Sequence, residues 1–393
     1  ELMLGRMKIW TAAGQRRRMP ARAPAVHIAL ALGFFALVAT ATARVSDHAP
    51  VNQAAIAAER PPELLSAYRF FRDISAREPN TGVTPYDLNT PLWSDGALKF
   101  RYVFLPPGTQ ARYNSETVFE FPVGTVLIKT FAFAADMRAP TENLRFLETR
   151  LLIRREEGWI ALPYVWDEAQ TEARLSPAGA DIPVSFSDEQ GQQVALDWAV
   201  PNRNQCKGCH DRAGEITPIG PSARNLNRSV HVLPTIEGDQ QPVTFTTSTL
   251  RQWSDAGILD RVPEDMPRVP SAYDPTSGSV ATRARAYLDV NCAHCHNPDG
   301  PAHTSGLDLR WSQSDPALWG VMKRPVAAGR ASGGYDFAIE PGHPERSILL
   351  HRMSSDDPGV MMPELGRQLV DEGGVALIRD WIAEMDADGR VQE

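Results

Sequence analysis

From about Val83 to Trp198 the chain alternates apolar and polar positions with the period of two that a half-buried strand requires. Phe100, Tyr102 and Phe104 alternate with Arg101 and Val103. Val118 to Phe121 and Thr125 to Phe133 are further strand runs, separated by Pro122-Val123-Gly124. Leu147 to Arg154 and Trp159 to Trp166 flank Arg155-Glu156-Glu157-Gly158, which reads as a hairpin. Val184 to Phe186 and Val194 to Trp198 flank a second hairpin signal, Ser187 to Gly191. Several short strands at this spacing predict an antiparallel sandwich or small barrel.

The flanks carry the helical period instead. Glu63 to Asp73 follows Pro61-Pro62 and places Leu64, Ala67, Tyr68 and Phe71 at helical spacing. Thr247 to Leu259 predicts a helix that stops near Gly257, with Leu250 and Trp253 facing inward. Ser279 to Val290 has an N-cap residue and Val280, Ala284, Tyr287 and Leu288 on one face. Gly374 to Met385 repeats Val375, Ile378, Ile382 and Met385 beside Trp381, an amphipathic helix of about three turns. The expected class is α+β and multidomain. An antiparallel β-sandwich-like N-terminal domain is followed by mainly α-helical domains. The expected division is 1–43 signal peptide, 44–79 tail and short helix, 80–203 β-rich domain, 204–275 a segment built around Cys206 to His210, and 276–393 a mainly helical domain built around Cys292 to His296.

The candidate chemistry lies in five residues, Cys292-Ala293-His294-Cys295-His296, and a near copy, Cys206-Lys207-Gly208-Cys209-His210. C-x-x-C-H is the attachment signal for c-type haem. Thiols three residues apart share a helical face and reach the two vinyl groups of one haem. The following His offers its imidazole to the iron as the proximal ligand. All four cysteines of the chain lie in these motifs, which leaves none for a disulfide or a nucleophile. A four-thiolate zinc site would pair two C-x-x-C knuckles but has no need of a His after each. A thioredoxin-like redox pair needs only one motif. The cofactors expected are therefore two covalently attached haems, with His210 and His296 on the irons.

Distal ligands are read from spacing. Met362 lies 66 residues after His296, in the Gly359 to Gly366 loop before the last helix, where Pro363 and Gly359 break any helix. It is preferred to Met361, because the residue before proline is held extended. Met266, before Pro267, lies 56 residues after His210 and is the candidate for the first iron, with His231 and an open position as alternatives. Pro221 is a candidate carbonyl acceptor for the second ring nitrogen of His210. His303, His343 and His351 read as surface or packing residues. Asp95, Asp167 and Glu168 read as solvated loop acids. No nucleophile elbow, metal cluster or phosphate loop is visible between Val83 and Trp198, so no catalytic residue is assigned.

The N-terminus changes where this chemistry is placed. Arg16, Arg17, Arg18 and Arg22 precede the apolar run Ala25 to Val38, and Ala41-Thr42-Ala43 has the small-x-small form of a cleavage site. Met19 or Met7 would serve as the start. The pattern predicts export to the periplasm or outer cell surface, with no membrane span after signal removal. An uncleaved anchor is the alternative. Removing residues 1–43 takes six Lys/Arg from 40 and one Glu from 48, leaving a net charge of −13. That balance argues against nucleic acid and suits a basic redox partner.

Several stretches resemble an uncharacterised family of exported bacterial two-haem c-type cytochromes. They are residues 85–101 (PYDLNTPLWSDGALKFR), 121–131, 162–166, 200–210, 218–228 and 283–310 (RARAYLDVNCAHCHNPDGPAHTSGLDLR). Residues 277–388 also resemble a class I cytochrome c, interrupted by a long insert from Gly306 to Met353. The resemblance implies an electron carrier working with redox proteins such as a basic cytochrome or a dehydrogenase, and implies no substrate. Two other readings stay open: a two-haem peroxidase-like enzyme with an open first iron, and a haem-bearing docking subunit of a dehydrogenase.

Overall fold

The computed structural model describes residues 49–232, 245–326 and 328–391. The signal peptide expected at 1–43 lies outside them. Asp47–Glu393 form one compact unit.

Its centre is a six-stranded antiparallel meander: β1 (Val83–Tyr86), β2 (Leu98–Phe104), β3 (Val126–Ala134), β4 (Leu144–Arg155), β5 (Gly158–Trp166) and β6 (Ala173–Leu175), each paired with its sequence neighbour. The Arg155 to Gly158 hairpin is present, with those two residues paired. One face is mainly apolar, broken only by the buried hydroxyl pair of Thr130 and Thr149. Tyr102, Phe104, Ile128, Leu151, Ile153, Leu162 and Tyr164 pack under Leu65, Tyr68, Phe70 and Phe71 of the N-terminal segment. Tyr164 donates its hydroxyl to Pro62 O at 2.9 Å, which ties that cover down.

The opposite face is divided. At one end Val103 and Leu127 pack with Phe119, Phe121, Leu250 and Trp253. At the other, Phe131, Phe133 and Leu147 pack with Val184, Phe186, Leu196 and Trp198, which come from a separate two-stranded hairpin, β7 (Ala180–Ser187) and β8 (Gln193–Val200). Between these ends the face is polar and charged.

Among the described residues the helices are short: α1 (Arg203–His210), α2 (Thr249–Asp255), α3 (Val280–Asn291), α4 (Ile348–Met353) and α5 (Glu372–Ala383), with the five-residue Gln53–Ala57 and two four-residue turns, Ala223–Leu226 and Pro316–Trp319, beside them. The α+β expectation, a β-sandwich-like domain followed by mainly α-helical cytochrome c-like domains, is therefore corrected. The described chain is mainly β, built on one sheet, and its C-terminal part is largely turns around α3 and α5. Composition explains this: Pro316, Gly320, Pro325, Gly333, Gly334, Pro341, Gly342 and Pro344 punctuate the segment between those helices and stop helix growth. The helix expected over Glu63–Asp73 is a four-residue 3-10 turn, Leu65–Tyr68, ended by Arg69 in the left-handed region at φ 57°, after which Phe71–Asp73 is strand. The run Val118 to Phe121 makes only isolated bridges, Val118 to Ser222 and Glu120 to Arg112.

Helices α3 and α5 pack through Ala284, Tyr287 and Leu288 against Val375, Ile378 and Trp381. Asp371 caps α5 by accepting the Gly374 N–H at 2.9 Å, and it also accepts the hydroxyls of Tyr273 and Tyr287 at 2.7 and 2.9 Å. The last helix is thereby fastened to the helix that precedes the second motif. Among the described residues no helix is long and apolar enough to cross a membrane.

Candidate haem sites

Strand β8 ends at Val200, and two residues later the chain enters α1, which carries the whole first motif. Asn202 caps it: its side chain accepts the Gln205 N–H at 2.9 Å while Gln205 reaches back to the Asn202 N–H at 2.9 Å. Cys206, Cys209 and His210 are thus held on a single rigid turn. The second motif begins where α3 ends. Cys292 caps that helix, and the His296 N–H returns to Cys292 O at 2.9 Å.

Each histidine is held in one tautomer. His210 Nδ1 lies 2.8 Å from Thr217 O. A carbonyl only accepts, so Nδ1 carries the proton and Nε2 keeps its lone pair for a metal. The acceptor is Thr217, not the expected Pro221. His296 Nδ1 lies 3.0 Å from Ser305 Oγ, whose own proton goes to Ala302 O at 2.7 Å. Ser305 therefore accepts from His296, and again Nε2 is free. Burial pushes His210 down to about 3 and His296 to about 4, so both rings are neutral at ordinary pH, as ligation requires. Burial also raises all four thiols, Cys292 and Cys295 to about 12. Neutral thiols suit thioether anchorage better than thiolate metal binding. Among the described residues no group of three or more Cys, His, Asp or Glu side chains is placed to hold a metal ion.

The two motifs lie side by side. A cavity of about 160 Å³ has Cys209, His210 and Thr217 on one wall and Ala293, His294 and Asn297 on another. His294 Nδ1 is buried there without a hydrogen-bond partner, an orphaned polar atom in the wall. The Ala213 N–H donates to Asp299 O at 3.0 Å, and a β-carbon at Gly208 would lie 3.3 Å from Leu365 Cδ1, in the loop that carries Met362. The donor set, two thiols and one free Nε2 in each motif, fits one covalent haem per motif.

Met362 and Met266 are placed differently. The Met362 N–H donates to Arg352 O at 3.0 Å, and the side chain borders a small cavity with Tyr287, Met353 and Arg367. Arg352 pairs with Glu364 at 3.3 Å, and the charges of both act on His296. Met361 is buried. Met266 instead packs against the cluster around Phe119 and Trp253, its sulfur 3.9 Å from Ser248 Oγ, and does not line the cavity with His210. The side chain of His231 falls outside the described residues. His303 bonds Gly300 O at 2.9 Å, His343 pairs with Glu345, and His351 packs edge-on against Tyr335. Asp95, expected as a solvated loop acid, is instead buried and accepts the Gln368 and Leu369 N–H groups, which tie its loop to the C-terminal part; Asp167 bonds Thr171 at the surface.

Sequence reasoning missed Thr217 and Ser305, the orienting acceptors, and a row of buried cations on the sheet. The first two carry no sequence signal beyond lying seven and nine residues after their histidines. The third had one: Lys129 interrupts Thr125 to Phe133, an otherwise apolar strand run. No protein-family model, curated protein or solved structure matches this chain, so the assignment rests on its own residues.

Proposed function

We propose that the chain is an exported two-haem c-type cytochrome that carries electrons between periplasmic or cell-surface redox partners. The observation that carries the reading is the pair of C-x-x-C-H motifs, each presenting a neutral imidazole with Nδ1–H engaged and Nε2 free. When bound, each haem supplies one-electron exchange at iron. The chain's residues do the rest. Cys206 and Cys209 anchor one group, and Cys292 and Cys295 the other. Thr217 O and Ser305 Oγ fix the imidazole planes and raise their basicity. Met362 would supply a thioether to the second haem, and thioether ligation raises the potential. The acidic balance of the chain draws in a basic partner. Protein matured in a host that assembles c-type cytochromes should keep two haems per chain through denaturing electrophoresis. Each Cys-to-Ala pair should remove one. Stoichiometric zinc and no haem would overturn the reading.

A second reading is supported by the placement of Met266 away from His210. If nothing else fills the distal position, the first iron is open, and the protein is a peroxidase-like enzyme. A high-spin haem that reacts with peroxide identifies that case; two low-spin haems that ignore it identify the carrier.

A further inference from the structure

The charged band across the middle of the sheet is hard to explain by the polypeptide alone. Arg101, Lys129 and Arg150 sit directly opposite one another on β2, β3 and β4. The next position along the same face holds Lys99, Phe131 and Glu148. Like charges directly opposite in a sheet destabilise it, and buried cations are ordinarily paired.

Two of the four cations are paired. Arg101 reaches Asp87 at 3.0 Å. Arg150 forks onto Glu148 at 2.8 and 2.5 Å, and Glu148 is fully buried and also accepts Trp198 Nε1 at 2.8 Å. That leaves two. Among the described residues Lys129 makes no hydrogen bond or ion pair, and its amine only overhangs the Phe131 ring at 4.9 Å. Lys99 donates only to Ala97 O at 2.9 Å.

Arg150 keeps 29 % of its side-chain surface, and Lys99 and Lys129 are half-buried, although burial dominates the titration of both lysines. The band lies near the first motif: Trp198, on the strand that runs into α1, donates to Glu148, and α1 itself lies against β5, whose Pro163 stands opposite Arg150.

The geometry points to Lys99 and Lys129 as the receptor for the two carboxylates of the haem carried by the first motif. Two unneutralised cations meet two propionates, each charge-assisted hydrogen bond replaces like-charge repulsion within the sheet, and the band becomes neutral only when the group is in place. The inference rests on the covalent-haem reading, and its test is separable from that one. Should no haem attach, that reading fails. Should two attach and the carboxylates prove insensitive to these lysines, only this inference fails.

The experiment is resonance Raman spectroscopy of the holoprotein, whose low-frequency propionate bending modes follow hydrogen bonding to haem carboxylates. Lys129→Gln and Lys99→Gln are each made in the full protein, in Cys206→Ala/Cys209→Ala and in Cys292→Ala/Cys295→Ala backgrounds. The expected result is a shift of the bending mode in the full protein and in the variant that keeps only the first haem. Haem count and spin state should not change, and Lys129→Arg should restore the mode. Lys99→Gln, at the border of the band, is the milder substitution if Lys129→Gln folds poorly. Three results overturn the inference: no shift with either lysine, a shift confined to the variant that keeps only the second haem, or conversion of a haem to high spin by Lys129→Gln, which would make Lys129 an axial ligand.

Discussion

The second site offers a test that the first does not, because its orienting acceptor is a side chain. In Ser305→Ala the relay from His296 Nδ1 through Ser305 Oγ to Ala302 O, with steps of 3.0 and 2.7 Å, loses its middle. A buried donor left without an acceptor costs about 1–3 kcal/mol. His296 is only half-buried, and water can enter the space of the missing hydroxyl, so the lower end applies, about 1 kcal/mol. The loss falls more heavily on the oxidised state. An Nδ1–H that donates makes Nε2 more basic and favours ferric iron, so removing the acceptor raises the midpoint potential. For a one-electron couple, about 1 kcal/mol is roughly 40 mV. The assay is spectropotentiometry on a protein that carries only the second haem, in the Cys206→Ala/Cys209→Ala background. Ser305→Thr keeps the hydroxyl and should stay near the parent value. Thr217→Ala, measured in the complementary background, should do nothing to the first haem, because its acceptor is a backbone carbonyl. An unchanged or lowered potential in Ser305→Ala would refute the tautomer argument.

Met362→Ala should abolish the weak sulfur-to-iron band at the red end of the oxidised spectrum and lower the second potential with haem content intact. If Met361→Ala does so instead, the wrong neighbour has been assigned. Met266→Ala should leave the spin state of both haems unchanged and cost about 1–2 kcal/mol of stability as a partly buried packing residue; conversion of a low-spin first haem to high spin would make it the ligand. Asp289→Asn breaks a buried bidentate pair in which Arg224 Nε and Nη2 reach the carboxylate at 2.9 and 3.0 Å, with side-chain exposures of 12 and 5 %. It should cost about 3–5 kcal/mol in urea unfolding, and a loss below about 1 kcal/mol would show the pair to be replaceable.

What the sequence revealed divides along physical lines. Local signals survived. The alternation in β2 and β3, the Arg155–Gly158 hairpin, the Ser279 cap and the α5 face all depend on neighbours within a few residues. The two motifs were legible for the same reason, since three-residue spacing fixes which side chains share a face. Long-range properties did not survive. Glu63–Asp73 has a helical period, yet Tyr68 and Phe70 are drawn onto the sheet, and tertiary burial overrides propensity. The expectation of mainly helical haem domains rests on the order of helix, C-x-x-C-H, Met-Pro loop and terminal helix, which resembles a class I cytochrome c; the Gly- and Pro-rich insert between them contributes only short turns. The acceptor for His210 was sought at Pro221, but the chain turns back earlier through the Asp211–Arg212 and Glu215–Ile216 ladder, which brings Thr217 to the ring.

The same ladder bears on how the two motifs work together. A first haem segment that stood alone would present its histidine to solvent. Here its turn is pinned from the other side: Ala213 donates to Asp299 just beyond the second motif, Arg224 forks onto Asp289 of α3, and Leu365 of the Met362 loop lies over Gly208. These contacts cross the boundary expected at residues 275–276 and tie the segment after the first motif to the helix and turns around the second. The sheet completes the arrangement, because the charge of Lys129 acts on both His210 and His294. Charge placed at either motif is therefore felt at the other through a low-dielectric interior. If the chain is the proposed electron carrier, this coupling lets charge on one site bias the loading of the other. A β scaffold is compatible with that role, because the six-stranded meander sets a charged band across the middle of one face, near the turn that holds the first motif.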